Sequence, residues 1–275
     1  MSIALITRHL NEAFLNEFVE YYLSEGVDTI YILQDADGSN DLPTRENVHV
    51  IQSKKFGANQ LYDVNQLYSH IRDRHTWFIF VDCDEFISCV NDEKEKTIRD
   101  MLHSTYKDVD CILIPWVMMS CNQREKNPAS LLQGVVHRWD HDKKHPHPNK
   151  WNKGRCRYDA IEVKSIFKGA TVAKINIHHP EAYKEEAMVI DSVYHNASTI
   201  SPLYKGLRES AIAHARMLCF HYRIFSREEC LKKFQDNKLD GYKTGGFNEL
   251  WITDYAEKEE MSMRVKSVAR FGKIE

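Results

Sequence analysis

The stretch Thr76-Trp77-Phe78-Ile79-Phe80-Val81-Asp82-Cys83-Asp84-Glu85-Phe86 decides the reading of this chain. Six aromatic and β-branched residues predict a buried strand. The strand ends in three acids within four positions. Hard divalent cations take oxygen ligands, and open α/β sheets bind their ligands outside the carboxyl ends of the strands. An Asp-x-Asp pair delivered by a buried strand is therefore a seat for a cation. The competing reading is a solvated acidic turn.

Working outward, the first half alternates strand and helix. Ile3 to Thr7, Thr29 to Leu33, Val48 to Ile51 and Asp110 to Trp116 read as further strands. Apolar residues at 14, 15, 18, 19 and 22 form the stripe of an amphipathic helix that Gly26 is placed to stop, and Leu61, Val64, Leu67, Tyr68 and Ile71 mark a second. Ile98 to Leu102 predicts a short helix. Such alternation implies an α/β fold with a mostly parallel central sheet and helices on both faces.

The second half is less regular, smaller and in part antiparallel. Tyr158 to Phe167 and Thr171 to His178 read as a pair of strands turning at Lys168-Gly169, and Ser226 with Glu229 predicts a capped helix reaching Phe234. Residues 140 to 155 read as a long polar loop, with His137, His141, His145 and His147 in or beside it as a flexible surface set. Phe247 to Phe271 reads as helical. The expected organisation is one domain over residues 1–275. Residues 1–116 would form the ligand-binding half, 117–240 the opposite half and 241–275 a helical tail.

A chain of 275 residues with a net charge of −3 shows no excess of basic residues for nucleic acid or a membrane surface. No segment reaches the length of a transmembrane helix. The seven cysteines are odd in number and lack any C-x-x-C pair, so a reducing, cytoplasmic setting is expected. P-loop, Rossmann dinucleotide and G-x-S-x-G fingerprints are absent. The first strand instead ends in Thr7-Arg8-His9-Leu10-Asn11-Glu12, and the second in Asp35-Ala36-Asp37-Gly38-Ser39. Alone, each is an ordinary helix start or turn. In a parallel sheet, however, the first, second and fourth strands end on one side, so three polar clusters converge as a nucleotide and a metal require. His178 and His221 each follow an apolar run and can sit at a strand end. A buried, satisfied histidine is the alternative for both.

In order along the chain, these residues resemble a glycosyltransferase of the GT-A fold, close to family 92 and the related family-2-like enzymes. Arg8-His9-Leu10-Asn11-Glu12, Phe18-Val19-Glu20-Tyr21-Tyr22 and Gly26-Val27-Asp28 resemble its N-terminal block. Gln60, Tyr62 and Trp77 to Phe86 resemble its D-x-D-E-F block. Pro115-Trp116, Lys164-Ser165-Ile166, His178, His221-Tyr222, Ser226-Arg227-Glu228-Glu229 and Lys232-Lys233 follow in sequence. Cys83 departs from the aliphatic residue usual in that family, and 120–155 matches nothing in it.

The resemblance implies a metal-dependent, inverting hexosyl- or pentosyltransferase that moves a sugar from a UDP-sugar to a carbohydrate acceptor. Thr7, Arg8, Asn11, Glu12, Asp35, Asp37, Gln60, Asp82, Lys164 and Lys232 would hold the donor. Asp84, Asp82 and His221, with His178 as the alternative to His221, would hold Mn²⁺ or Mg²⁺, the histidine favouring Mn²⁺. Inversion needs a carboxylate base, for which Asp140, Asp159 and Glu162 are the candidates. Trp116, Trp139 and Trp151 are stacking surfaces or core residues. Two other classes compete. One is metal-dependent nucleotidyl transfer or phosphoester hydrolysis, although the loop after the first strand lacks the glycines usual there. The other is a non-catalytic carbohydrate-binding module on the same scaffold.

Overall fold

The computed structural model describes residues 1–9, 11–35, 42–53, 60–143, 145, 161–183, 186–198, 201–235, 251 and 253–274. In chain order the elements are β1 (Ile3–His9), α1 (Leu15–Ser24), β2 (Thr29–Gln34), β3 (Val48–Gln52), α2 (Gln60–Ile71), β4 (Trp77–Phe80), β5 (Glu85–Cys89), α3 (Ile98–His103) and β6 (Cys111–Ser120). These are followed by α4 (Leu131–Gly134), β7 (His137–Arg138), β8 (Ile161–Lys168), β9 (Val172–Ile175), β10 (Pro180–Tyr183), β11 (Val189–Asp191) and β12 (Leu203–Tyr204). The remainder are α5 (Glu209–His214), β13 (Met217–His221), α6 (Arg227–Gln235), β14 (Lys258–Glu259) and α7 (Ser262–Phe271). Among the described residues, twelve strands form one mixed sheet, while β9 and β10 pair separately. The fold is α/β, as the alternation implied.

The chain divides into two compact units. The first comprises Met1–Pro115, Val163–Pro202 and His214–Cys219; the second comprises Trp116–Glu162, Leu203–Ala213 and Phe220–Glu275. In the first unit, β1 lies between β2 and β4 and runs parallel to both, with Ile6 opposite Tyr31 on one side and Phe80 on the other. β3 extends the parallel set beyond β2. Ile3, Ala4, Leu5 and Ile6 have no exposed surface, the signature of a parallel strand covered on both faces. α1 buries the expected Leu15, Phe18, Val19 and Tyr22, and Tyr21 as well. The two tyrosine hydroxyls lock β5: Tyr21 donates to Ile87 O at 2.8 Å and Tyr22 to Glu85 O at 2.9 Å. After α1, Gly26 takes φ +90°, and a Cβ there would lie 2.6 Å from Arg99 Cβ, so both conformation and space demand glycine.

The apolar strand itself ends before the acids, as expected, and a second strand starts at the last of them. β4 ends at Phe80 and β5 begins at Glu85, because Asp82 N–H donates to the Glu85 carboxylate at 2.7 Å and Glu85 N–H to Asp82 O at 3.1 Å, closing a turn. One expectation is corrected in this unit: the strands on either side of Gly169 do not pair with each other. Both edges of β8 are taken, antiparallel, by β4 and β6, so β9 pairs with β10.

In the second unit, β7 pairs antiparallel with Met119–Ser120 of β6 and with β14. Arg138, buried, forks onto both Glu209 oxygens at 2.7 and 2.8 Å and reaches Glu260 at 3.1 Å. The flexible histidine set is corrected here. His141 and His145 are buried, because His145 stacks on Tyr255 with centroids 3.9 Å apart and meets Glu257 at 2.8 Å, while His141 N–H donates to Glu209 at 2.8 Å. His147 lies outside the described residues. α6 begins as predicted, with Glu229 N–H donating to Ser226 Oγ at 3.1 Å. The described cysteines are all free and buried. Among the described residues, no helix is long and apolar enough to cross a membrane.

Candidate active site

The parallel strands β1, β2 and β4 end on one side, as the sequence implied. β1 brings Thr7, Arg8 and His9 there, and Asp35 N–H donates to His9 O at 2.9 Å, which holds the end of β2 beside them. The turn after β4 adds the acids. Its side chains alternate: Asp82 and Asp84 are partly exposed, whereas Cys83 and Glu85 are buried. Two carboxylates thus face outward from a turn whose other two side chains are built into the protein.

Lys164 holds this arrangement from below. It lies on β8, opposite the end of β4, where Ser165 pairs with Phe80. Its side chain has no exposed surface, and Nζ lies 3.0 Å from Asp82 Oδ2, 2.9 Å from Glu85 Oε2 and 3.1 Å from Ile177 O. An ammonium has three donors, and these acceptors use all three. Burial opposes its charge, but the Asp82 and Glu85 carboxylates outweigh that and hold the Lys164 pKa above the ordinary lysine range. Burial pushes the Glu85 carboxyl upward, opposed by the Lys164 ammonium. The Asp82 side chain remains 46% exposed, so the ion pair orients it without hiding it.

Cys83 is held by polar groups: Sγ donates to Arg8 O at 3.1 Å and lies 3.3 Å from Thr7 Oγ1. An aliphatic side chain here would offer neither contact. Thr7 is itself fully buried and so supports the turn. Arg8 lies in the field of Asp82, Asp35, Glu12 and Asp63; burial lowers its pKa against their pull. His178 is in the same unit, with Nδ1 3.2 Å from Val163 O and its neighbour Ile177 accepting from Lys164. Asn11 and Glu12 follow β1 and are partly exposed.

The other described sequence candidates belong to the second unit. His221 belongs to the second unit and packs on the Trp116 ring at 4.2 Å between centroids. Asp140, also there, accepts from Asp142 N–H at 3.0 Å, while its own N–H donates to Glu257 at 2.9 Å. Glu162 is buried on β8 opposite Leu203, Lys232 is exposed on α6, and Trp139 packs on Tyr255. Asp37, Asp159, Trp151 and the Gln60 side chain lie outside the described residues. Lys164, which the sequence places among the donor contacts, is paired here with Asp82 and Glu85. A lysine in the middle of Ile161-Glu162-Val163-Lys164-Ser165-Ile166-Phe167 was the available signal, because a lysine is almost never fully buried unless paired.

A divalent cation fits the outward pair: Asp82 and Asp84 supply hard oxygen donors, and one of them is already fixed by an ion pair. Comparisons with known proteins add little. No family model and no curated protein matches the chain. Among solved structures it is similar to 4-diphosphocytidyl-2C-methyl-D-erythritol synthase from Anaerococcus prevotii, at 9% identity over 78% of this chain and 96% of that one, with a TM-score of 0.34. A likeness of that extent carries no argument about chemistry.

Proposed function

We propose that this protein is a divalent-cation-dependent transferase acting on a nucleotide-linked substrate, and that the group it transfers is the sugar of a UDP-sugar donor. The observation that carries this reading is the Asp82–Asp84 turn at the ends of the parallel strands, oriented by a fully buried lysine. The ordered motifs from Arg8 to Lys233 select sugar transfer among the reactions such a site can run.

A cation on Asp84 and Asp82 would offset the negative charge that develops on a departing nucleoside diphosphate. Lys164 is the positioning residue. It fixes Asp82 and neutralises Glu85, so the turn keeps one geometry. Arg8 and Asp35 flank the turn from the ends of β1 and β2, where a base and ribose would lie. His221 remains the first candidate for the third ligand and His178 the alternative; His178 follows Ile177, whose carbonyl accepts from Lys164. Asp140, Asp159 and Glu162 remain the candidate bases.

The test is incubation with UDP-sugars and Mn²⁺, followed by product analysis for wild type and Asp84→Ala. Sugar transfer with release of UDP, reduced by about 100- to 1,000-fold in the variant, is expected. Undiminished transfer by Asp84→Ala would sink the reading. UMP plus sugar phosphate would identify phosphoester chemistry instead. Metal-dependent UDP-sugar binding with no turnover in any metal would identify a binding module.

A further inference from the structure

A second set of metal-ligating side chains lies behind the same turn. His9, at the end of β1, is 2% exposed, and neither ring nitrogen makes a hydrogen bond among the described residues. Its Nδ1 lies 2.8 Å from Glu12 Oε2. Cys83 completes the group: one ligand atom from each of His9, Glu12 and Cys83 lies within 4.8 Å of the others. A buried imidazole without hydrogen bonds, aimed at a carboxylate and a thiol, calls for an explanation. A cation between the three supplies one. We propose that His9, Glu12 and Cys83 form a zinc site, distinct from the Asp82–Asp84 pair and independent of the reaction proposed above.

The donor set selects the ion. Nitrogen, sulfur and a single carboxylate oxygen suit Zn²⁺, whereas Mg²⁺ and Mn²⁺ favour oxygen ligands. Metal–ligand bonds of about 2.0–2.3 Å put the ligand atoms of a tetrahedral ion about 3.3–3.8 Å apart. The group therefore closes on an ion with side-chain shifts of about an ångström or less at each ligand. Binding releases the thiol proton to solvent and gives up the bond from Cys83 to Arg8 O, while Thr7 Oγ1, 3.3 Å away, can donate to the thiolate. The Glu12 side chain is 29% exposed, which gives the ion an entry and leaves its fourth position to water. Cys83 thus has a use that an aliphatic residue between the two aspartates cannot serve.

The test is titration of the chelator-treated full chain with Zn²⁺ against a chromophoric competitor. One Zn²⁺ per chain is expected. Cys83→Ser and His9→Gln should each weaken binding by about 100-fold, at the upper end of what loss of a supporting contact costs. Asp84→Asn should leave the affinity unchanged. X-ray absorption of the zinc-loaded wild type needs no variant and should show a sulfur neighbour at about 2.3 Å. A shell of oxygen and nitrogen alone, no stoichiometric binding, or loss in Asp84→Asn with none in Cys83→Ser would each overturn the proposal.

Discussion

At the scale of single residues, Lys164 holds the acidic turn through Asp82 and Glu85. Removing the ammonium leaves Glu85 buried and uncompensated, because Glu85 has no exposed surface to ionise into. Breaking a buried pair from one side costs about 3–5 kcal/mol. Lys164→Met should therefore lower the unfolding free energy by about that much in urea titrations. Lys164→Met/Glu85→Gln should recover part of it by removing the orphaned charge. The double variant should still lose activity, since Asp82 is no longer held. Full activity in it would show that orienting Asp82 does not matter. The acids were legible from residue order: three of them after an apolar strand. The lysine that organises them was not, because it is distant in sequence and reaches them only through the pairing of β8 with β4.

At the scale of elements, α3 shows how a short helix is fixed at its start. Thr97 Oγ1 accepts from Asp100 N–H at 3.1 Å, and Asp100 accepts from Thr97 N–H at 2.9 Å, a complete capping box. The buried Glu25 carboxylate accepts Ile98 N–H at 2.9 Å from outside the helix. The hydrogen bonds from Thr97 hold the Asp100 carboxyl below the usual aspartate range. A helix of this length depends on such ends. Thr97→Ala should cost about 1 kcal/mol in urea or thermal unfolding. A neutral result would mean that Glu25 and packing suffice. α1, α2, α3 and α6 were readable from apolar spacing and caps; α4 and α5 were not. The helix expected over 247–271 is corrected, because Lys258–Glu259 is a strand paired with β7 and only Ser262–Phe271 beyond it forms α7. The partners of β9 were not readable either, because sequence adjacency suggested β8 and only the sheet shows both edges of β8 occupied.

At the scale of the whole chain, acid stability should be governed by the second unit. Glu209 is pulled down to about 2: partial burial works to raise it, but the hydrogen bonds of Arg138 and of His141 N–H bring it below its ordinary 4.5. Burial, aided by the Arg138 charge, pushes His141 down to about 4 from 6.5. In both cases the unfolded chain binds protons that the folded one refuses, so stability rises with pH. The contribution of His141 is complete above about pH 6.5 and is lost as pH falls through about 4; that of Glu209 is complete above about 4.5 and is lost toward about 2. Melting temperature against pH should fall through these windows. His141→Asn should flatten the upper step and Glu209→Gln the lower. An unchanged profile in both variants would show that other groups control acid unfolding.

The sequence by itself determined the class of fold and the position of the acidic turn. Apolar periodicity and strand length are local properties, and a parallel sheet follows from their alternation. It also placed the ends of β1, β2 and β4 on one side, since parallel strands leave no other choice. Only the tertiary structure decided what stands behind that turn. Lys164 beneath Asp82 and Glu85, the thiol of Cys83 against Thr7 and Arg8, and His9 beside Glu12 are contacts between residues up to 82 positions apart. Burial creates them: a charge or imidazole removed from water must find a partner wherever the packed sheet brings one, and no local pattern records where that is.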